Sequence, residues 1–418
     1  MKTKKSLSII VFISLLLTIN VFVKAQGTKT NNQKEPLFPV GKDGKWGYIN
    51  KTGKIVVPIK FDDIDKYNYD GVYEGDLIAV KINGKWGYCD KTGKMVIEAK
   101  YSSAEHFTDG IAKVSIKEKS DDFAFAFNDD IGTYINKQGS IVFSGEKYKA
   151  TGLLGTSYFS DGLMCVKGEN KKYGFIDTKG VEVIKCKFNY AKDFSDGLAV
   201  FTNGKLYGFI DKTGKKVIDT IYTEANDFSE GIAICKDKSG KTIFIDKKGM
   251  IVGKTDEKLK SSFFSFSYRF QDGLLKYEKD GKVGFLDKTG KIVIQAKYDD
   301  VHGVSNGLIG VCLNGTKKES TFGGTWENGW GFIDKTGKIV IPCKYKSSMS
   351  FTEGVVSVKE GEKWGIMDKT GKWIIKPEFE DYPENCKNGL IKIKGKKYYN
   401  GQFGYIDKTG KWIWQMPY

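Results

Sequence analysis

The chain has 418 residues, 40% of them hydrophobic and 14% aromatic, which is enough apolar material for a packed core and excludes wholesale disorder. Its formal net charge is +16; four lysines fall in the first 25 residues, leaving +12 beyond them, and Arg269 is the only arginine. Lysine is a hydrated point charge without the bidentate fork that reads guanine, so sequence-specific nucleic-acid recognition is not expected. Fifty glycines against seven prolines point to many short strands.

In chain order, residues 1–25 come first and read as a secretory signal. Lys2, Lys4 and Lys5 make a basic start, Ser6 to Val23 is apolar, and Val23-Lys24-Ala25 offers small residues for cleavage before Gln26. The expected product is exported to the periplasm, the cell surface or the medium, with no transmembrane segment after cleavage. An uncleaved anchor is the alternative, because the apolar run is close to the length of a minimal membrane span. Residues 26–36 then form a short polar linker, and residues 37–418 form the array described next.

One phrase recurs through the array. Trp46-Gly47-Tyr48-Ile49-Asn50-Lys-Thr-Gly53 returns at Trp86-Gly87, Trp330-Gly331 and Trp364-Gly365, and in weaker form around Asp177, Asp211, Asp287 and Asp407. The copies around Asn136 and Asp246 have lost the Trp-Gly pair. The acid or amide falls at 50, 90, 136, 177, 211, 246, 287, 334, 368 and 407, a mean step of about 40 residues. A second phrase sits between these, as in Phe107-Thr-Asp-Gly110, Phe194-Ser-Asp-Gly197 and Phe351-Thr-Glu-Gly354. Each unit is therefore expected to be a three-stranded antiparallel meander.

The turn chemistry is specific. In Asp-Lys-Thr-Gly the carboxylate can accept backbone N–H bonds two residues on, and the glycine supplies a positive φ, the recipe for a type I turn with a G1 bulge. The recurring acid is thus read as a turn residue and not as a catalyst. Asn83-Gly84 and Asn203-Gly204 are read as tight type I′ hairpins. Along the second strand, alternation sends Trp and the aromatic two later to one face, and Gly and Ile to the other. Both faces must be covered by neighbouring units, with the glycine leaving room for a neighbour's side chain. The Trp stripe is read as core; exposed sugar-stacking platforms are the alternative. Cysteines 89, 165, 186, 235, 312, 343 and 386 fall singly in different copies and read as small buried hydrophobes, with no metal site.

These motifs, recurring in phase from about Val40 to Trp414, resemble the WG-repeat (KWG-repeat) proteins of bacteria. The resemblance implies an all-β interaction module with no catalytic residues to carry over and no cofactor. Two global shapes fit: a closed β-propeller, and an open β-solenoid-like superhelix of about ten meanders. The open array is favoured, since closure usually splits one unit between the chain ends, no unit is split here, and ten blades exceed the usual four to eight.

Regular strands build the stack, so partners are expected at insertions. The candidates are Phe123, Phe125 and Phe127 in the first long step, Phe264, Phe266, Tyr268 and Arg269 in an aromatic stretch, and Trp326 in the second long step. His106 and His302 are the only histidines and lie in no nucleophile or metal motif. The expected function is a non-enzymatic scaffold for protein partners, with binding of acidic glycan or envelope polymer through aromatic and lysine-rich faces as the alternative.

Overall fold

The computed structural model describes residues 35–65, 75–116, 132–151, 158–259, 268–318, 325–394 and 403–415. From Pro36 on, the chain is one compact unit whose described strands form ten small antiparallel sheets and one separate two-stranded hairpin. The second sheet shows the plan. A two-residue entry strand, Asp63–Ile64, pairs with a first strand, Ile78–Ile82; this pairs with a second, Lys85–Cys89, and that with a third, Met95–Tyr101. The third strand ends the sheet, and the chain passes directly to the entry strand of the next, Ser103–Ala104. Sheets one and ten have three strands; the others add the entry strand, which the expected three-stranded meander lacked, and the fourth also adds Phe159–Ser160 beside its first strand.

The hairpins form because the turns are encoded. At Asp90, Oδ1 accepts the Thr92 and Lys94 backbone N–H at 2.8 and 3.1 Å and the Thr92 hydroxyl at 2.6 Å, while Gly93 takes φ +83°. Asn50 does the same with an uncharged amide. The role is hydrogen-bond acceptance, and no charge is needed for it. The tight turn at Asn83-Gly84 has φ +50° and +78°, as a type I′ turn requires. Asn203-Gly204 departs from that expectation: residues 203–206 form a wider loop in which the Gly204 N–H donates to the Thr202 hydroxyl.

Packing between sheets makes the core, and it decides the global shape. The side chain two before the turn acid in one sheet, aromatic in all but blade 9, meets the aliphatic or sulfur side chain just before the acid in the next. Tyr48 meets Cys89, Tyr88 meets Ile135, Phe175 meets Ile210, Phe209 meets Ile245, Phe285 meets Ile333 and Ile366 meets Ile406. The same pairing joins the last sheet to the first, where Tyr405 and Ile49 share a cluster with Phe38, Val40, Leu390 and Phe403. Across that seam Tyr405 donates its hydroxyl to Pro39 O at 3.0 Å, Phe38 and Tyr405 pack edge to face at 5.5 Å, and Trp46 stacks on Phe403 at 6.0 Å. The ten sheets therefore close into a ring, a ten-bladed β-propeller, and not the open solenoid-like superhelix expected from the sequence. Closure needs no shared strand because the tenth interface uses the same side-chain interlock as the other nine. Each aromatic or branched side chain buried in these clusters contributes roughly 1.5–3 kcal/mol relative to exposure.

The motif glycines answer to backbone and not to a neighbour's side chain. A Cβ on Gly87 would lie 2.6 Å from Ile97 O and 2.7 Å from Ala99 N, both in the third strand of the same blade. There Trp86 faces Tyr101 and Tyr88 faces Ile97, so a two-residue step on one strand meets a four-residue step on the other. This wide bulge recurs in seven of the eight blades that keep the glycine, each with a third strand seven residues long; in blade 10 Gly404 pairs one-to-one with Gln415 in a four-residue strand. In blade 6, with Ile243 at the glycine position, Ile243 and Phe244 pair one-to-one with Lys254 and Gly253. Thr133 in blade 3 likewise pairs with Ser144 in a shortened third strand. The turn glycine has a separate duty, for Gly93, Gly214 and Gly371 sit against Pro58, Ile184 and Ile341 of the preceding third strand, and Gly53 against Ile413 across the seam.

Candidate interaction surfaces

The residues singled out from the sequence are dispersed. Phe123, Phe125, Phe127, Phe264 and Phe266 lie outside the described residues. Tyr268 is half-buried against the cluster between blades 6 and 7. Arg269 is exposed and reaches Asp227 at 3.7 Å. Trp326 stands on a small hairpin, Thr316–Lys318 with Thr325–Glu327, where it packs on the core and its carbonyl accepts the Trp330 indole N–H at 2.8 Å. Of the motif tryptophans, Trp330 and Trp364 are buried, while Trp46 and Trp86 are half-buried against the inter-blade clusters. All seven cysteines are free, five of them buried and Cys186 and Cys343 half-buried; burial pushes the Cys89 and Cys235 thiols up to about 12.

The acid of the second phrase does more than turn the chain. Asp196 takes φ +56°, accepts the Gly231 N–H of the next blade at 2.6 Å and pairs with Lys247 of that blade at 2.7 Å. Glu230 repeats this with Gly273 and Lys288, and Glu353 with Gly389 and Lys408. Asn306 keeps the bond to the Gly354 N–H. Beside these clasps, the Ser195 and Ser229 hydroxyls donate to Phe228 O and Phe270 O of the following blades. An acid where glycine or asparagine would suit φ better is the sequence signal for this role, and it recurs in the second phrase.

Two further polar groupings stand out. His106 Nδ1 lies 3.3 Å from Asp65, whose hydrogen bond raises the imidazole above its ordinary value. His302 stacks on Trp330 at 4.3 Å and bonds Ser348 O at 3.0 Å, and burial lowers it. In blades 4 to 7, Tyr190 contacts Tyr173 and Tyr207 at 5.4 and 6.4 Å and lies near Asp227, which Lys192 and Arg269 each approach at 3.7 Å. Asp193 touches solvent, yet the protein around it pushes its carboxyl up to about 6, against a hydrogen bond from the Cys165 backbone and with a further push from Asp227.

Apolar exposure is concentrated on the third strands. Ile55, Val96, Ile141, Val183, Val217, Ile251, Val293, Ile339 and Trp412 occupy the second or third place after the turn glycine in nine of the ten blades, and all are exposed. Each lies on the strand that ends its sheet. Such a recurrence on sheet edges is a ready surface for other chains.

Seven stretches, residues 46–86, 86–119, 173–207, 207–241, 284–316, 330–364 and 364–398, match the family model described as WG containing repeat. Together they span more than half of the chain, each beginning at or beside the Trp position of a blade. Blades 3, 6 and 10 begin no match, and the first two are those with Thr133 and Ile243 in place of the motif glycine. No curated protein sequence matches. Among solved structures, the chain is similar to a eukaryotic initiation factor at 14% identity, covering 84% of this chain and 97% of that one, with a TM-score of 0.47. The computationally designed Ika8 protein is similar at 13% identity over 72% and 93%, TM-score 0.33. BamB from Moraxella catarrhalis is similar at 11% over 70% and 90%, TM-score 0.32. On the repeats it carries in phase, the chain belongs to the family of WG-containing-repeat proteins.

Proposed function

We propose that the chain is an exported, non-enzymatic scaffold that binds protein partners along the third-strand edges of its blades. The observation that carries this reading is the exposed apolar residue repeated on the terminal strand of nine sheets. The chemistry of the acids agrees with it, since the turn carboxylates serve their own loops and those of the second phrase fasten neighbouring blades. Export rests on the basic and apolar pattern of residues 1–25. The test is retention of envelope proteins on the purified protein beside a variant carrying Val96→Asp, Val293→Asp and Ile339→Asp. A discrete protein held by the former at raised salt and lost by the latter supports the reading; equal retention by both refutes it.

A second reading, glycan binding, is favoured by Tyr173, Tyr190 and Tyr207, a run of ring contacts with Asp227 near Tyr190 as acceptor and Lys192, 3.7 Å from Asp227, as donor. Retention of acidic polysaccharide that is lost with Tyr190→Ala, and not merely with salt, would move the function there.

A further inference from the structure

The third strand of blade 7, Ile292–Tyr298, is the clearest of the exposed edges. Its solvent face reads Lys291, Val293, Gln295 and Lys297 in strict alternation, while Ile294 and Tyr298 point into the core. It carries no acid and no proline, whereas the corresponding strands of blades 1, 8 and 9 contain Pro58, Pro342 and Pro377, each lacking the N–H that a new strand needs. The next blade touches it through Gly337 against the Ile294 side chain. Lysines on an edge strand normally prevent like edges from pairing. Here they flank an exposed valine, so they exclude a second copy of this chain, whose edge would set lysine against lysine, and admit a strand of opposite charge.

We infer that the third-strand edge of blade 7 accepts an extended acidic segment of a partner protein as an added β-strand. Glutamate or aspartate lies opposite Lys291 and Lys297, and an apolar side chain lies opposite Val293. This rests on the scaffold reading and names the chemistry of the partner. Each cross-strand charge pair is modest, so affinity comes from backbone bonds and the apolar contact, and the lysines set which strand is taken. The same Lys-Val alternation on blade 2, at Lys94, Val96 and Lys100, includes Glu98, which makes that edge the poorer acceptor.

The experiment measures binding of two labelled synthetic peptides to the purified protein by fluorescence anisotropy at low and raised salt. One has glutamates at its ends and valine between; the other has lysines in their place. The acidic peptide is expected to bind and the basic one not. In the double variant Lys291→Glu, Lys297→Glu the acidic peptide weakens roughly tenfold and the basic one gains, a reversal that loss of folding cannot produce. Unchanged binding by the variant overturns the inference, and so does displacement of the acidic peptide by phosphatidylserine vesicles that ignore the variant. If neither peptide binds while the apolar variants above still release a protein partner, the scaffold reading stands and this inference falls. If the peptide binds but those variants retain every partner, the scaffold reading falls.

Discussion

Gly87→Ala tests the physical reason for the motif glycine. The substitution places a methyl group 2.6 Å from Ile97 O and 2.7 Å from Ala99 N, where ordinary contacts are several tenths of an ångström longer. Both obstacles are backbone, so the third strand of blade 2 must move away from the second, opening the bulge between Trp86↔Tyr101 and Tyr88↔Ile97. Overpacking of this kind costs about 1–3 kcal/mol. Gly84 is the matched control, since it has φ +78° with nothing within 4 Å of its would-be Cβ. Asparagine tolerates the left-handed region, so Gly84→Asn is expected to cost no more than about 0.5 kcal/mol. Urea unfolding followed by tryptophan fluorescence, with Trp86 in the affected blade, measures both. If Gly87→Ala stays within about 0.5 kcal/mol of the unchanged protein, close backbone approach is not what the glycine is for.

With only two histidines, the imidazole signals in a nuclear magnetic resonance titration are expected to fall on opposite sides of the ordinary value, His106 above it and His302 below. The His106–Asp65 pair then adds stability that is full below the unfolded value, near 6.5, and fades as pH rises through the raised one; Asp65→Asn should bring the His106 midpoint down. His302, lowered by burial, favours the fold above that value, and its contribution is lost as pH falls, so a raised His302 midpoint would refute its packing on Trp330. Burial pushes the Glu353 carboxyl up, but Lys408 and the Asn388 and Gly389 N–H groups hold it below its usual range. Its stabilisation is therefore present above the ordinary carboxylate value and lost on acidification through the lowered one, and Glu353→Gln should flatten the acid limb of unfolding; an unchanged limb would show that the clasp between blades 9 and 10 contributes nothing.

The blade was largely legible because its determinants are local. Asp-Lys-Thr-Gly fixes its turn through bonds within five residues, Asn83-Gly84 through two positive φ angles, and the aromatic alternation places Tyr88 and Cys89 on opposite faces. Closure was not legible because it depends on a contact between residues as far apart as Pro39 and Tyr405, and no local feature marks it. The glycine was misassigned for a similar reason, since period-two alternation gives the face but not the extra residues of the bulge opposite. Asn203-Gly204 shows the limit of a dipeptide rule, because Thr202 captures the Gly204 N–H and widens the loop. Of the interaction surfaces, Trp326 was found as an aromatic in an insertion, but its packing on Trp330 is tertiary. The exposed valines of the third strands look in sequence like core residues, and only the ring shows which are left uncovered.

Ring closure is tested most directly by a double-mutant cycle between Phe38 and Tyr405, each changed to leucine. The two rings pack edge to face at 5.5 Å in the closed ring, and such pairs carry a coupling of about 0.5–1.5 kcal/mol beyond their buried area. The account predicts a coupling of that size in unfolding free energy. Additivity within about 0.3 kcal/mol would place the two residues apart and contradict closure.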